Sequence, residues 1–94
     1  MALDESYRRI FQNEAKVLTV SMVESLQKIG KDPSDRDEIE KLLSSADVVV
    51  GSAKFLEDEE LEERAKMIVT LFGESKDAKG KSAEIRRLIE QLRQ

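Results

Sequence analysis

Histidine, cysteine and tryptophan are absent from this chain of 94 residues, which also has only one proline and four glycines. The absence of cysteine excludes disulfides, thiolate nucleophiles and zinc–thiolate sites. With histidine missing as well, the chain lacks the commonest transition-metal ligands and every Ser–His or Cys–His catalytic pair. Carboxylates are abundant, but no cofactor-binding loop accompanies them. We therefore expect no catalytic residue, no metal site and no cofactor, and we do not expect an enzyme.

Long apolar runs and a face of positive charge are also missing. No apolar run is longer than three residues, the length of the three valines at residues 48–50, which is far too short to span a membrane. The 16 basic and 20 acidic residues are interspersed and give a net charge of −4, whereas a nucleic-acid-binding protein normally carries a basic face. The N-terminus lacks the basic and apolar regions of a signal peptide. These absences predict a cytoplasmic protein that binds neither membranes nor nucleic acid.

What the chain does have is apolar residues at steps of three and four, the spacing of amphipathic helices. The first predicted helix spans Asp4 to Ile29 and ends at Gly30, and the second begins at a cap formed by Ser34 or Asp35. Because the helices are joined by short turns, the pattern predicts an all-α fold in one domain of residues 1–94, an antiparallel up-down four-helix bundle. The residues predicted to face the core are Tyr7, Ile10, Phe11, Ala15, Leu18, Met22, Leu26 and Ile29, then Ile39, Leu42, Leu43, Ala46, Val49, Ala53 and Leu56, then Leu61, Ala65, Ile68 and Phe72, and finally Ile85, Leu88, Ile89 and Leu92.

The remaining helix ends are assigned from their capping residues. Asp37 or Glu38 is placed to close a capping box at the second helix. Asp58 is the expected cap of the third helix, and Ser82 is the expected cap of the fourth. Residues 73–81, which are polar and bracketed by glycines, are expected to form a mobile connection between these two helices.

The predicted second helix carries the most informative segment. Residues 46–56 read Ala-Asp-Val-Val-Val-Gly-Ser-Ala-Lys-Phe-Leu, which resembles the Ala-His-x-Leu-Lys-Gly-Ser-Ala-x-x-Leu segment of histidine phosphotransfer (HPt) domains. The Asp-Pro-Ser-Asp turn at residues 32–35 is similar to the Asn-Pro-Glu-Asp turn in the phosphotransfer domains of chemotaxis kinases. The resemblance covers about residues 11–72. It implies the four-helix HPt bundle and a place in two-component or chemotaxis-type signalling.

Two departures from the family pattern fall on its chemistry. The position of the phosphoacceptor His holds Asp47, and the position of the family's Lys three residues later holds Val50. The family uses His because an imidazole nitrogen accepts a phosphoryl group, and the Lys supplies positive charge beside it. Asp47 has no imidazole and its charge repels phosphate, so we do not expect phosphotransfer. The resemblance then implies a scaffold that docks a response-regulator receiver domain or a histidine-kinase module.

The expected partner-binding residues surround the position of the missing His. They are Asp47, Val48, Val50, Gly51 and Lys54, four of which recur at the three- and four-residue steps of one helix face. In the family, the glycine leaves room for a receiver domain to approach. We expect Val48 and Val50 to add exposed apolar area beside it.

Other interpretations remain open from the sequence. Asp47 is either a fixed negative charge that imitates a phosphorylated His or an ordinary solvated helix residue. Gly51 provides either access for a partner or close approach of a neighbouring helix. The protein is alternatively a structural or oligomerisation bundle, a homodimer whose exposed valines face a second copy, with no role in a phosphorelay.

Overall fold

The fold consists of four α-helices. The computed structural model describes residues 5–74 and 77–93, and it contains α1 (Glu5–Lys31), α2 (Arg36–Phe55), α3 (Glu59–Phe72) and α4 (Ser82–Leu92). Within those residues no β-strand is present. The predicted all-α class and the number of helices are confirmed.

Side-chain contacts between helices give their relative directions. Near one end of the α1–α2 pair, the Ser25 hydroxyl donates a hydrogen bond of 2.7 Å to Glu38 Oε1. Near the other end, the ring centroids of Phe11 and Phe55 lie 4.2 Å apart. Since early residues of α1 meet late residues of α2, the two helices are antiparallel. Helix α2 also packs along α3, while α4 contacts α1 and α3 and completes the bundle.

The core contains most of the residues that the apolar spacing predicts. Every helix contributes: the fully buried side chains include Met22, Leu26 and Ile29 from α1, Ile39, Leu42 and Val49 from α2, Ile68 and Phe72 from α3, and Leu88 from α4. Leu43, Leu61 and Ile89 are partly buried and pack against this cluster. The core is therefore one continuous layer between the helices.

The spacing fails at the start of α1, where Tyr7 and Ile10 are each 58% exposed. Ile10 and Phe11 are adjacent, so they point about 100° apart on a helix, and Phe11 takes the inward position against Phe55. Tyr7 lies one turn before Phe11, and Phe55 is already the last residue of α2. The prediction that Tyr7 and Ile10 face the core is wrong: α2 ends at Phe55, too early to cover Tyr7, and Ile10 lies about 100° around α1 from the position of Phe11.

Aspartate caps form where they were predicted. Asp35 accepts a hydrogen bond from the Glu38 backbone N–H at the start of α2, and Asp58 accepts one from the Leu61 N–H at the start of α3, both at 3.1 Å. The capping box does not form at α2, because the Glu38 carboxylate binds Ser25 instead. Each cap satisfies a backbone donor that the first turn of a helix leaves without a partner.

Two other predicted helix ends are wrong. Helix α1 does not stop at Gly30 but continues to Lys31, and the Asp32 N–H still donates to the Lys28 carbonyl at 2.9 Å. Helix α4 is not capped by Ser82, which is its first residue; Lys81 occupies the cap position and makes no side-chain capping bond. The spacing of apolar residues does not fix helix ends to within a residue, because the ends depend on local hydrogen bonds.

The connection between α3 and α4 is tied to the bundle at Ala78. This side chain is buried, and its backbone N–H donates a hydrogen bond of 3.0 Å to the carbonyl of Pro33 in the α1–α2 turn. Residues 77–81 of the connection are therefore in contact with the bundle, and the expected mobility of the connection stays a prediction. Ser75 and Lys76, which belong to the same predicted connection, lie outside the described residues.

Lys81 provides a second tie at the end of α3. Its ammonium group donates hydrogen bonds to the carbonyls of Leu71, at 2.5 Å, and Asp77, at 3.1 Å. The same nitrogen lies 5.4 Å from the centroid of the Phe72 ring, within range of a cation–π contact. A cation at a helix C-terminus also complements the partial negative charge of the last carbonyls. Lys81 thus joins the start of α4 to the end of α3.

Candidate functional site

Four of the five predicted partner-binding residues share the solvent-facing side of α2. Asp47, Val48, Gly51 and Lys54 are all exposed, with Val48 at 45%, and we call these four residues the α2 stripe. Ala46, which precedes them, and Val49 and Ala53, which lie between them in sequence, are fully buried. Because these three side chains pack into the core, the helix is held in one rotation and the α2 stripe faces outward.

Val50 does not belong to this exposed surface. It is partly buried and packs against the core cluster. The rotation of about 100° per residue carries Val50 from the buried position of Val49 to the flank of α2 that lies away from the Phe11–Phe55 contact. Val50 therefore adds less exposed apolar area than Val48, and its place among the partner-binding residues stays a prediction.

Gly51 lies in the middle of the α2 stripe with open space in front of it. Apart from the adjacent residues and the backbone of α2 itself, a Cβ atom built on Gly51 meets no atom within 4 Å. None of the described neighbouring helices therefore needs the missing side chain for close approach, which removes one of the two interpretations of this glycine. A glycine inside a helix costs about 0.5–1 kcal/mol relative to alanine, and the packing of the described chain offers no compensation for that cost.

An apolar area borders the α2 stripe on the side of α1. It consists of Val48 and Phe55 from α2 and Ile10 and Val17 from α1, which are 45%, 36%, 58% and 68% exposed, and we call these four residues the apolar flank. The Phe11–Phe55 contact and the Ser25–Glu38 hydrogen bond set the register of the two helices. In that register Ile10 is level with Phe55, and Val17 is level with Val48.

Sequence reasoning assigned the apolar flank only in part. It placed Ile10 in the core and gave Val17 and Phe55 no place in the docking surface. A signal was present, since Ile10 and Val17 are seven residues apart, as are Val48 and Phe55. Seven residues are about two helical turns, so each pair lies on a single side of its helix.

The charges of the α2 stripe are those of Asp47 and Lys54. Both side chains are exposed, and neither forms an ion pair with another residue of the described chain. They are also seven residues apart and point the same way from α2. The stripe therefore presents one negative and one positive charge at the two ends of an uncharged centre, Gly51.

The described chain contains potential metal ligands and nucleophiles. Across residues 5–74 and 77–93, no group of three or more His, Cys, Asp and Glu side chains is arranged to hold a metal ion. Ser52, the hydroxyl nearest to Gly51 in sequence, is only 4% exposed.

A cleft that the sequence did not predict lies between α1 and α3, beyond the end of α4. Helix α4 has 11 residues against 27 in α1, so it covers only part of α1. The cleft has a volume of about 840 Å³, and its charged lining residues are Lys16, Arg64, Arg93, Asp58 and Glu60. Positive and negative groups largely offset one another there, so the lining does not single out a ligand.

No helix of the described chain has both the length and the apolar composition needed to cross a membrane. Comparisons of the sequence with protein-family models, with curated proteins and with solved structures give no match. The resemblance to HPt domains therefore rests on the residues of this chain alone.

Proposed function

We propose that this protein is a non-catalytic, histidine-less HPt-like interaction module of two-component or chemotaxis-type signalling, acting in the cytoplasm. In this proposal, the α2 stripe docks a response-regulator receiver domain or a histidine-kinase module. The observation that carries it is the open space at Gly51, in the middle of an exposed helix face. The sequence around that glycine is the part of the chain that resembles the docking helix of the family.

The chemistry of the stripe supports binding without phosphotransfer. Asp47 stands at the phosphoacceptor position and is exposed, but a carboxylate has no imidazole nitrogen to accept a phosphoryl group. Val50, at the position of the family's Lys, is apolar and partly buried, so it cannot place a positive charge beside phosphate. A partner that docks here would be held by contact alone, and it would compete with or tune the phosphorelay traffic of active HPt domains.

The first prediction concerns docking. Gly51→Arg is expected to weaken binding of a cognate receiver domain by about tenfold or more, because a long side chain occupies the centre of a contact surface. Isothermal titration calorimetry with purified receiver domains from the source organism measures the change. Gly30→Arg is the matched control: Gly30 is also an exposed helical glycine, and a Cβ there lies 3.9 Å from Ile85, an ordinary contact distance. Equal binding by wild type and Gly51→Arg would contradict the proposal.

The second prediction concerns phosphotransfer. Incubation with a phosphorylated cognate kinase is expected to leave the wild-type protein unlabelled. The double variant Asp47→His with Val50→Lys restores the two residues of the family pattern and serves as the positive control, with acid-labile, base-stable label expected. Label of that kind on the wild-type protein, or a base-labile acyl phosphate on Asp47, would show that the chain transfers phosphate after all.

A further inference from the structure

The exposed residues around Gly51 form pairs whose members are complementary to each other. Asp47 and Lys54 are oppositely charged, exposed and seven residues apart. Val48 and Phe55 are both apolar, exposed and also seven residues apart. The midpoints of the two pairs fall at Gly51, within one residue. A surface whose two halves complement each other about a central point fits a reversed copy of itself.

We infer that a second copy of this chain binds across α2 in antiparallel orientation, with a twofold axis at Gly51. A twofold axis makes contacts reciprocal: if one residue meets another across the interface, the reverse contact also forms. An antiparallel crossing at Gly51 sets Asp47 opposite the partner's Lys54 and Lys54 opposite the partner's Asp47. On the other side of α2, Val48 meets the partner's Phe55 and Phe55 meets the partner's Val48.

Helix α1 extends the same symmetry. Ile10 and Val17 are exposed, seven residues apart and level with Phe55 and Val48 in the α1–α2 register. The twofold axis at Gly51 therefore sets Ile10 opposite the partner's Val17, and Val17 opposite the partner's Ile10. All four residues of the apolar flank, which face solvent in one copy, acquire apolar partners in the pair.

Gly51 itself lies at the crossing point of the two α2 helices. Because it has no side chain and nothing outside the adjacent residues and the α2 backbone lies within 4 Å of its Cβ position, the two backbones can approach closely there. One group opposes the pairing: Glu14 is exposed and lies between Ile10 and Val17 on α1, so two Glu14 carboxylates come near each other at the axis. Removing this charge is expected to tighten the pair.

This inference goes beyond the proposed function, since self-pairing does not require a receiver domain or a kinase. The two nevertheless use the same residues. A protein whose α2 stripe is covered by a second copy cannot dock a partner through it, so pairing and docking exclude each other. Self-association would then hold the docking surface in reserve until a partner competes for it.

Charge reversal tests the arrangement by sedimentation-velocity ultracentrifugation over a concentration series. The wild-type protein is expected to form dimers. Asp47→Lys and Lys54→Asp should each weaken dimerisation by about tenfold or more, because each sets like charges opposite one another twice. The double variant should regain the wild-type dimer. An equimolar mixture of the two single variants should form a heterodimer, because the antiparallel register then sets opposite charges together at both contacts.

Controls separate this register from a general effect of charge. Glu90→Lys and Arg87→Asp, exposed on α4, change the net charge by the same amounts and should leave the dimer unchanged. Glu14→Gln should strengthen it. Circular dichroism spectra establish that each variant is folded. A wild-type protein that stays monomeric up to about 1 mM, a range that covers weak dimers, overturns the inference, as does a double variant that fails to recover. Receiver titrations are separate: a monomer that binds a receiver domain overturns self-pairing but leaves the proposed function standing.

Discussion

Val49→Asp is expected to unfold the protein, whereas Val48→Asp leaves the free energy of unfolding within about 0.5 kcal/mol of wild type. Val49 has no exposed surface, so the carboxylate of Val49→Asp is buried without a partner. Val48 is 45% exposed, so the carboxylate of Val48→Asp is solvated. An unpaired buried charge costs several kcal/mol, which is comparable to the total stability of about 5–15 kcal/mol of a small domain. Val50→Asp should fall between them, because Val50 is partly buried.

Urea unfolding followed by circular dichroism measures this series at a protein concentration low enough for the chain to be monomeric, and the three variants control for one another. Each replaces a valine by aspartate in the interior of the same helix, so their helix propensities change by the same amount. Differences among the three therefore report the rotation of α2. Equal destabilisation at Val48 and Val49 would mean that α2 is rotated otherwise and that the α2 stripe does not face solvent.

The helices and most of the core were predictable because they depend on a repeated pattern. Apolar residues at three- and four-residue steps predict a helix face whatever lies opposite it. The spacing also separates Ile10 from Phe11, because Phe11 is in step with the buried Ala15 and Met22 whereas Ile10 is not. What the spacing along α1 cannot show is that α2 already ends at Phe55, so that Tyr7 lies beyond the end of α2. That information lies in the packing of two helices, not in the spacing along one.

Helix ends were predictable where a short side chain caps its own backbone. Asp35 and Asp58 each act within three residues of themselves, so the local sequence is sufficient. The α3–α4 connection depends instead on contacts across the fold. Ala78 binds the α1–α2 turn and Lys81 binds the end of α3, and neither contact can be recognised in a stretch that reads as polar and rich in glycine.

The candidate site shows the same division. That Asp47, Gly51 and Lys54 share one face follows from helical spacing. The direction in which that face points is fixed by the side chains of α2 that pack into the core. The same packing turns Val50 towards the core cluster. The open space at Gly51 is likewise a property of the assembled bundle. The sequence of a helix does not show whether a neighbouring helix packs against one of its glycines.

The seven-residue pairs around Gly51 are visible in the sequence. They indicate a contact surface only once the exposure of their members and the register of α1 against α2 are known. Seven-residue spacings are common in any helical chain. Their value here comes from the exposure of all the members and from the register that sets the α1 pair level with the α2 pair. The same residues then support two uses of one face, docking of a signalling partner and pairing with a second copy, and the two uses compete.

Phe72→Ala is expected to lower the free energy of unfolding by about 3–5 kcal/mol, the range found for removing a buried aromatic side chain. Phe72 is completely buried at the end of α3, and the Lys81 ammonium group lies over its ring. The substitution removes apolar contacts, leaves a cavity in the core and takes away the surface on which the α3–α4 connection rests. Urea denaturation measures the loss, with Met67→Ala as the control on the same helix. Met67 is 48% exposed, so its truncation should change the stability by less than about 0.5 kcal/mol. If both truncations had the same small effect, α3 would not be anchored through Phe72, and the tie between α3 and α4 would have to lie elsewhere.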